Sequence, residues 1–255
     1  MAKLEIHQFP CLSDNFGVLI HDPGGATAAI DVPDAKAVMA ALQAKGWTLT
    51  HILTTHHHND HTAGNLEVKA ATGCTIIGPR AEAAKIPGID TQVGQGDSFR
   101  FGEHEVRVLD TPGHTAGHIS YWMPSASVAF VGDTLFAVGC GRVIEGDAKM
   151  MWTSLEKLIA LPKETVVYCG HEYTQANIRF ALTIEPDNAA LLKRAKEVDA
   201  LRAGGKATLP TRMDLELETN PFLRPGVPAI QQRLGMVGKP EWQIFGEIRE
   251  RKNRG

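Results

Sequence analysis

Residues 54–61, Thr54-Thr55-His56-His57-His58-Asn59-Asp60-His61, restrict this chain more than any other stretch. The apolar run His51-Ile52-Leu53 leads in and the small residues Thr62-Ala63-Gly64-Asn65 lead out, which reads as a strand that ends and turns into a helix. In an extended strand residues two apart share a face. His56 and His58 therefore point one way and His57 the other, and a turn after His58 brings Asp60 and His61 round to the same pocket. Imidazole and carboxylate suit zinc, iron and manganese. The pattern offers four ligands, so one more from elsewhere exceeds a four-coordinate site and points to two ions. A purification tag would also be His-rich, but a tag sits at a terminus, and this cluster is internal.

Three further apolar strands end in a residue that can bind metal. The run at 105–109 leads to Asp110-Thr111-Pro112-Gly113-His114, Val128 to Val131 leads to Gly132-Asp133, and Thr165 to Tyr168 leads to Cys169-Gly170-His171. Gly, Pro or Thr beside each marks a sharp turn, and in layered α/β folds sites collect at the carboxyl ends of strands. Other strands are expected at 4–9, 17–21, 26–31 and 75–77, with helices at 35–45, 66–72 and 150–160. Strands alternating with helices in two similar halves suggest helices packed outside two sheets. Beyond Tyr173 the strand signals fade, and helices are expected at 174–183, 187–203, 227–234 and 240–252. This places a boundary near residue 172, between a catalytic domain at 1–172 and a helical domain at 173–255.

Composition limits the function classes. A 255-residue chain that is 43% hydrophobic can build a large core, and a net charge of −3 argues against general nucleic-acid affinity. Cys11, Cys74, Cys140 and Cys169 show no paired spacing, which fits a reducing cytosol. The N-terminus, Met1-Ala2-Lys3-Leu4-Glu5, has no apolar signal core, and no apolar run is long enough to span a membrane. A cytoplasmic monomer without membrane or nucleic-acid partners is expected.

The motifs Thr55-His56-His57-His58-Asn59-Asp60-His61, Pro112-Gly113-His114-Thr115, Gly132-Asp133-Thr134-Leu135-Phe136 and Cys169-Gly170-His171-Glu172-Tyr173-Thr174, in this order, resemble the metallo-β-lactamase superfamily. Gly139-Cys140-Gly141-Arg142, Thr219-Asn220-Pro221-Phe222-Leu223-Arg224 and the basic C-terminal helix are similar to its hydroxyacylglutathione hydrolase (glyoxalase II) branch. The resemblance implies an α/β fold, an αββα metallo-β-lactamase sandwich with a C-terminal all-helical region. It also implies two divalent ions, zinc first, with iron or manganese accepted by the same donors. By the family pattern His56, His58 and His114 hold one ion, Asp60, His61 and His171 the other, and Asp133 bridges them. The same resemblance implies that Asp60 and Asp133 are the catalytic carboxylates. Two ions about 3.5–4 Å apart share a water and lower its pKa towards ~7.

The implied reaction splits the thioester of S-(2-hydroxyacyl)glutathione, chiefly S-D-lactoylglutathione, to glutathione and D-lactate. A thiolate leaving group, from a thiol of reference pKa ~8.5, departs without a strong general acid, and none is evident in the motifs. The family pattern assigns the charged peptide to Arg142, Tyr173, Arg249 and Lys252. Arg249 and Lys252 lie three apart on one helix face, although a solvated helix end explains that pair without a ligand. Two positions depart from some relatives: Arg142 replaces Lys, and Ile144 replaces a Tyr whose lost hydrogen bond is worth ~0.5–1.5 kcal/mol. Asp31 either orients a ligand histidine or caps a turn; His118 reads as a packed or supporting group, and Cys140 and Cys169 as small core residues. The rivals are a glutathione persulfide dioxygenase, a β-lactamase or other metallo-hydrolase of the same fold, and a non-catalytic glutathione-binding protein.

Overall fold

A computed structural model of the chain describes residues 3–255. Met1 and Ala2, part of the segment read for a signal core, lie outside the described residues. The chain divides into two compact units, one of Met1–Asp110 with Thr115–Gly132, the other of Thr111–His114 with Asp133–Gly255.

The first unit opens with β1 (Glu5–Cys11), β2 (Asn15–His21) and β3 (Thr27–Ile30), an antiparallel set. Helix α1 (Ala35–Lys45) follows, and parallel strands β4 (His51–Leu53), β5 (Thr75–Pro79) and β6 (Thr91–Val93) complete a mixed six-stranded sheet. Between β4 and β5 lie the short helix α2 (Asn59–Thr62) and α3 (Asn65–Thr72). Asp34 caps α1 by accepting the Ala37 amide at 2.8 Å, and Gly46 ends it in the left-handed conformation. Ile52, Leu53, Ile76 and Ile77 are all buried, as parallel strands covered on both faces require. Strands β7 (Ser98–Phe101), β8 (His104–Asp110), β9 (Ile119–Met123) and β10 (Val128–Phe130) form an antiparallel meander.

In the second unit β11 (Leu135–Phe136) and β12 (Gly139–Cys140) make a tight hairpin. Helix α4 (Ala148–Ile159) is capped by Asp147 and is followed by β13 (Val166–Tyr168). Helices α5 (Thr174–Ile184) and α6 (Ala189–Ala203) come next, the latter capped by Asn188 rather than starting at Asp187. The short strand β14 (Thr211–Arg212) then pairs with β13, and α7 (Met213–Thr219), α8 (Pro228–Leu234) and α9 (Glu241–Arg254) complete the unit. The C-terminal region is thus helical apart from β14, a two-residue strand too short for any alternation to announce.

Ile52 is fully buried in the core of the first unit with Leu19, Ala29, Val38 and Ile76. Ile52→Ala removes three methyl or methylene carbons there and should cost roughly 2–5 kcal/mol of unfolding free energy in urea titration; a loss below roughly 1 kcal/mol contradicts this packing.

Candidate metal centre and substrate cleft

In the first unit the donors follow from how β4 ends. Thr54, Thr55 and His56 continue buried beyond the strand, and His58 precedes α2 in extended conformation, so α2 carries Asp60 and His61 back over the strand end. The His56 ring lies 4.8 Å from that of His58 and 4.1 Å from that of His61. His57 turns aside, with Nδ1 2.8 Å from the buried Glu82 carboxylate. His118 stacks on His56 at 4.7 Å.

Asp31, at the end of β3 with φ +57°, organises this group. Its carboxylate accepts the Thr55 amide at 2.7 Å, the Thr55 hydroxyl at 2.8 Å and His61 Nδ1 at 2.8 Å. A carboxylate only accepts, so His61 carries its proton on Nδ1. Thr55 has one hydroxyl proton and gives it to Asp31; its oxygen, 3.0 Å from His56 Nδ1, therefore accepts from that ring. Both imidazoles are thereby fixed with a lone pair on Nε2, the tautomer a metal ligand needs. Of the two roles open to Asp31, orienting a histidine is the one the contacts favour. Asn15 was not singled out in the sequence; its side-chain amide donates to the Asp60 carbonyl and carboxylate at 3.2 and 3.3 Å. No local signal marks it, because the contact spans 45 positions.

In the second unit, Asp133 Oδ2 stands 3.4 Å from both His114 Nε2 and His171 Nε2, and all three residues are buried. His114 Nδ1 donates to the Arg142 carbonyl at 3.0 Å, which fixes the same tautomer once more. Tyr173 stacks flat on His171, and Phe136 presents its edge to both rings. A methyl group on Gly141 would come within 1.9 Å of the Asp133 backbone carbonyl oxygen, so glycine alone lets the chain return this close to the Asp133 backbone.

A cleft of about 290 Å³ runs past His114 and Asp133 and is lined by Arg142, Tyr173, Arg249 and Lys252. The four residues expected to take the peptide thus share one wall system; Ile144 is exposed. Arg249 is buried, donates to the Cys140 carbonyl and to Asn253 at 3.0 Å each, and lies over Phe222. Lys252 donates to the Ala176 carbonyl at 3.1 Å, and its pKa is lowered by burial and then by the neighbouring Arg249 and Arg179.

The family model described as "Metallo-beta-lactamase superfamily" matches residues 14–171, and "Hydroxyacylglutathione hydrolase C-terminus" matches residues 172–255. A protein named hydroxyacylglutathione hydrolase from Brucella ovis is 60% identical over 98% of both chains, and one from Methylococcus capsulatus is 57% identical over 98% of both. The chain belongs to the hydroxyacylglutathione hydrolase branch of the metallo-β-lactamase superfamily. Among solved structures, ETHE1 from Myxococcus xanthus matches with a TM-score of 0.70 and 28% identity over 98% of this chain and 91% of that one. A metallo-β-lactamase from Staphylococcus aureus matches at 0.67 and 21% identity, over 98% and 71% of the two chains. The superfamily fold, α/β with mixed sheets and a helical C-terminal region, is therefore shared well beyond this branch.

All four cysteines of this hydroxyacylglutathione hydrolase relative are unpaired and buried. Burial raises the Cys140 thiol to about 11 despite the adjacent Arg249. Since only the thiolate attacks, Ellman's reagent at pH 8 should titrate none of the four thiols in the folded protein and all of them after denaturation. The folded state favours the neutral Cys140 thiol, so its contribution to stability holds below pH 9 and is lost as pH rises towards 11. Prompt labelling of Cys140 in folded protein at pH 8 contradicts its burial.

Proposed function

We propose that the chain hydrolyses the thioester of S-(2-hydroxyacyl)glutathione, chiefly S-D-lactoylglutathione, releasing glutathione and D-lactate. The observation that carries this reading is the cleft that gathers Arg142, Tyr173, Arg249 and Lys252 beside His114 and Asp133. A guanidinium and an ammonium suit the two carboxylates of a glutathione moiety.

The donor set fits a pair of divalent ions. His56, His61 and His114 each have Nδ1 committed to an oxygen, which orients Nε2 as ligand. Imidazole and carboxylate donors gather within each unit: His56, His58, Asp60 and His61 beyond the end of β4 in the first, and His114, Asp133 and His171 in the second. We assign His56, His58 and His114 to one ion, Asp60, His61 and His171 to the other, and Asp133 to both, with zinc first and iron or manganese accepted by the same donors. Two such ions, when bound, supply an activated water and polarise the thioester carbonyl. The chain's own residues do the rest. Asn15 fixes the Asp60 carboxylate, and Asp31 fixes the His61 and His56 rings. Arg142, Arg249, Lys252 and the Tyr173 hydroxyl hold the peptide so that its sulfur ester faces Asp133. The thiolate leaves without a proton donor.

On this reading residues 1–172 supply the catalytic domain and 173–255 the substrate-binding domain. Among the described residues no helix is long and apolar enough to cross a membrane. The four unpaired cysteines suit a reducing compartment, and we place the protein in the cytoplasm as a monomer.

Free-thiol release from S-D-lactoylglutathione, with a metal count on the same sample, tests the proposal. Two metal equivalents with turnover are expected, and chelation should abolish turnover. Asp133→Ala should lose at least about 1,000-fold in kcat while keeping its circular dichroism spectrum. Asp31→Ala should weaken metal binding roughly 10- to 100-fold, because the histidines lose their orienting partner. Wild-type protein that binds two metals yet releases no thiol sinks the substrate assignment, and near-normal turnover by Asp133→Ala sinks the mechanism.

A further inference from the structure

The segment Thr219-Asn220-Pro221-Phe222-Leu223-Arg224 marks this branch in the sequence, but none of its residues lines the substrate cleft. Its Asn220 is fully buried and makes contacts far along the chain. The Asn220 side-chain amide donates to the Gly139 carbonyl at 2.9 Å, to the Phe136 carbonyl at 3.3 Å and to Glu216 Oε2 at 3.0 Å. Glu216 Oε2 also accepts the Val138 amide at 2.8 Å. Its other oxygen is held by Arg194 and Thr211, at 2.6 Å each. Arg194 and Glu216 are both buried, so the ion pair is sustained by hydrogen bonds on every side rather than by water.

These bonds converge on the β11–β12 hairpin. Val138 at its tip has φ +56°, a conformation a β-branched residue rarely adopts. Such a conformation persists where the surroundings impose it, and here the Glu216 carboxylate takes the Val138 amide. The hairpin is the stretch of chain that joins Asp133 to Arg142. It carries Phe136, whose edge meets His171 and Tyr173, and the Cys140 carbonyl, which receives Arg249.

We propose that Asn220 and Glu216, backed by Arg194, are positioning residues: they clamp the 135–140 hairpin from behind and so set Phe136, Cys140 and through them Tyr173 and Arg249 for the glutathione moiety. This rests on the substrate reading above. The clamp acts on residues that line the cleft rather than on the reacting atoms, so it governs KM more than kcat.

Asn220→Ser separates this role from folding. Serine still accepts the Phe222 amide that Asn220 caps at 3.1 Å, but it loses the two donations into the hairpin. The variant should keep the wild-type metal content and a cooperative melt. Its KM for lactoylglutathione should rise about tenfold with kcat within about threefold, as expected for loss of one or two buried hydrogen bonds. Hydrogen exchange read by mass spectrometry should speed up about tenfold or more in peptides covering 135–140 and stay unchanged in α1 and β5. Wild-type KM in a folded variant, or unchanged exchange at 135–140, overturns the proposal. A measurement on the wild type alone stands beside the variant: its Val138 amide should be among the slowly exchanging ones, and exchange within seconds overturns the clamp whether or not the variant folds. If the wild type releases no thiol, the substrate reading fails, while the exchange data still decide whether Asn220 holds the hairpin.

Discussion

A buried carboxylate oxygen of Asp133 that stands 3.4 Å from two imidazole nitrogens sets the terms for the rest of this protein. The Arg142 carbonyl accepts from His114 Nδ1, so Nε2 is the ring nitrogen turned towards that carboxylate. His56 and His61 in the first unit have the same tautomer, imposed through Asp31 and Thr55. Three rings prepared alike argue for a common purpose, and the purpose a neutral imidazole with an oriented Nε2 serves is metal ligation.

The surrounding structure keeps that arrangement in place. Buried residues carry the chain from the end of β4 to His56, and a four-residue helix folds Asp60 and His61 back. Gly141 lets the chain pass close behind Asp133, a place no side chain could occupy. The hairpin between them is tied to the C-terminal helices by Glu216, Asn220 and Asn177. Helix α9 contributes Arg249 and Lys252 to the cleft and packs against α4 and α8. The helical region therefore does two things at once: it brings Arg249 and Lys252 to the cleft, and its hydrogen bonds hold the hairpin that follows Asp133.

Much of this was legible in the sequence where a residue's role is local. His56, His58, Asp60 and His61 could be read from the strand period and the turn, and His114, Asp133 and His171 from the apolar runs that precede them. Helix α1 was bounded by its helical periodicity and a following glycine. Strand β6 was not legible, because Thr91 and Gln92 are exposed and only Val93 is buried, which leaves no pattern. Strand β9 was missed although Ile119, Tyr121 and Met123 are buried, since the partly exposed Trp122 stands where alternation calls for a polar residue. Asn15, Arg194 and Glu216 look like surface residues in a sequence. Their partners lie 45, 22 and 78 positions away, and only the fold brings those together. For the fold, the branch motifs carried more than propensity did, because they span both the catalytic and the C-terminal segments.

Anomalous scattering from crystals of the zinc-loaded protein, collected on both sides of the zinc edge, tests the central claim most directly. The account predicts two peaks about 3.5–4 Å apart with Asp133 between them, one against His56, His58 and His114 and the other against Asp60, His61 and His171. A single peak away from Asp133, or fully loaded crystals with no peak there, would contradict it.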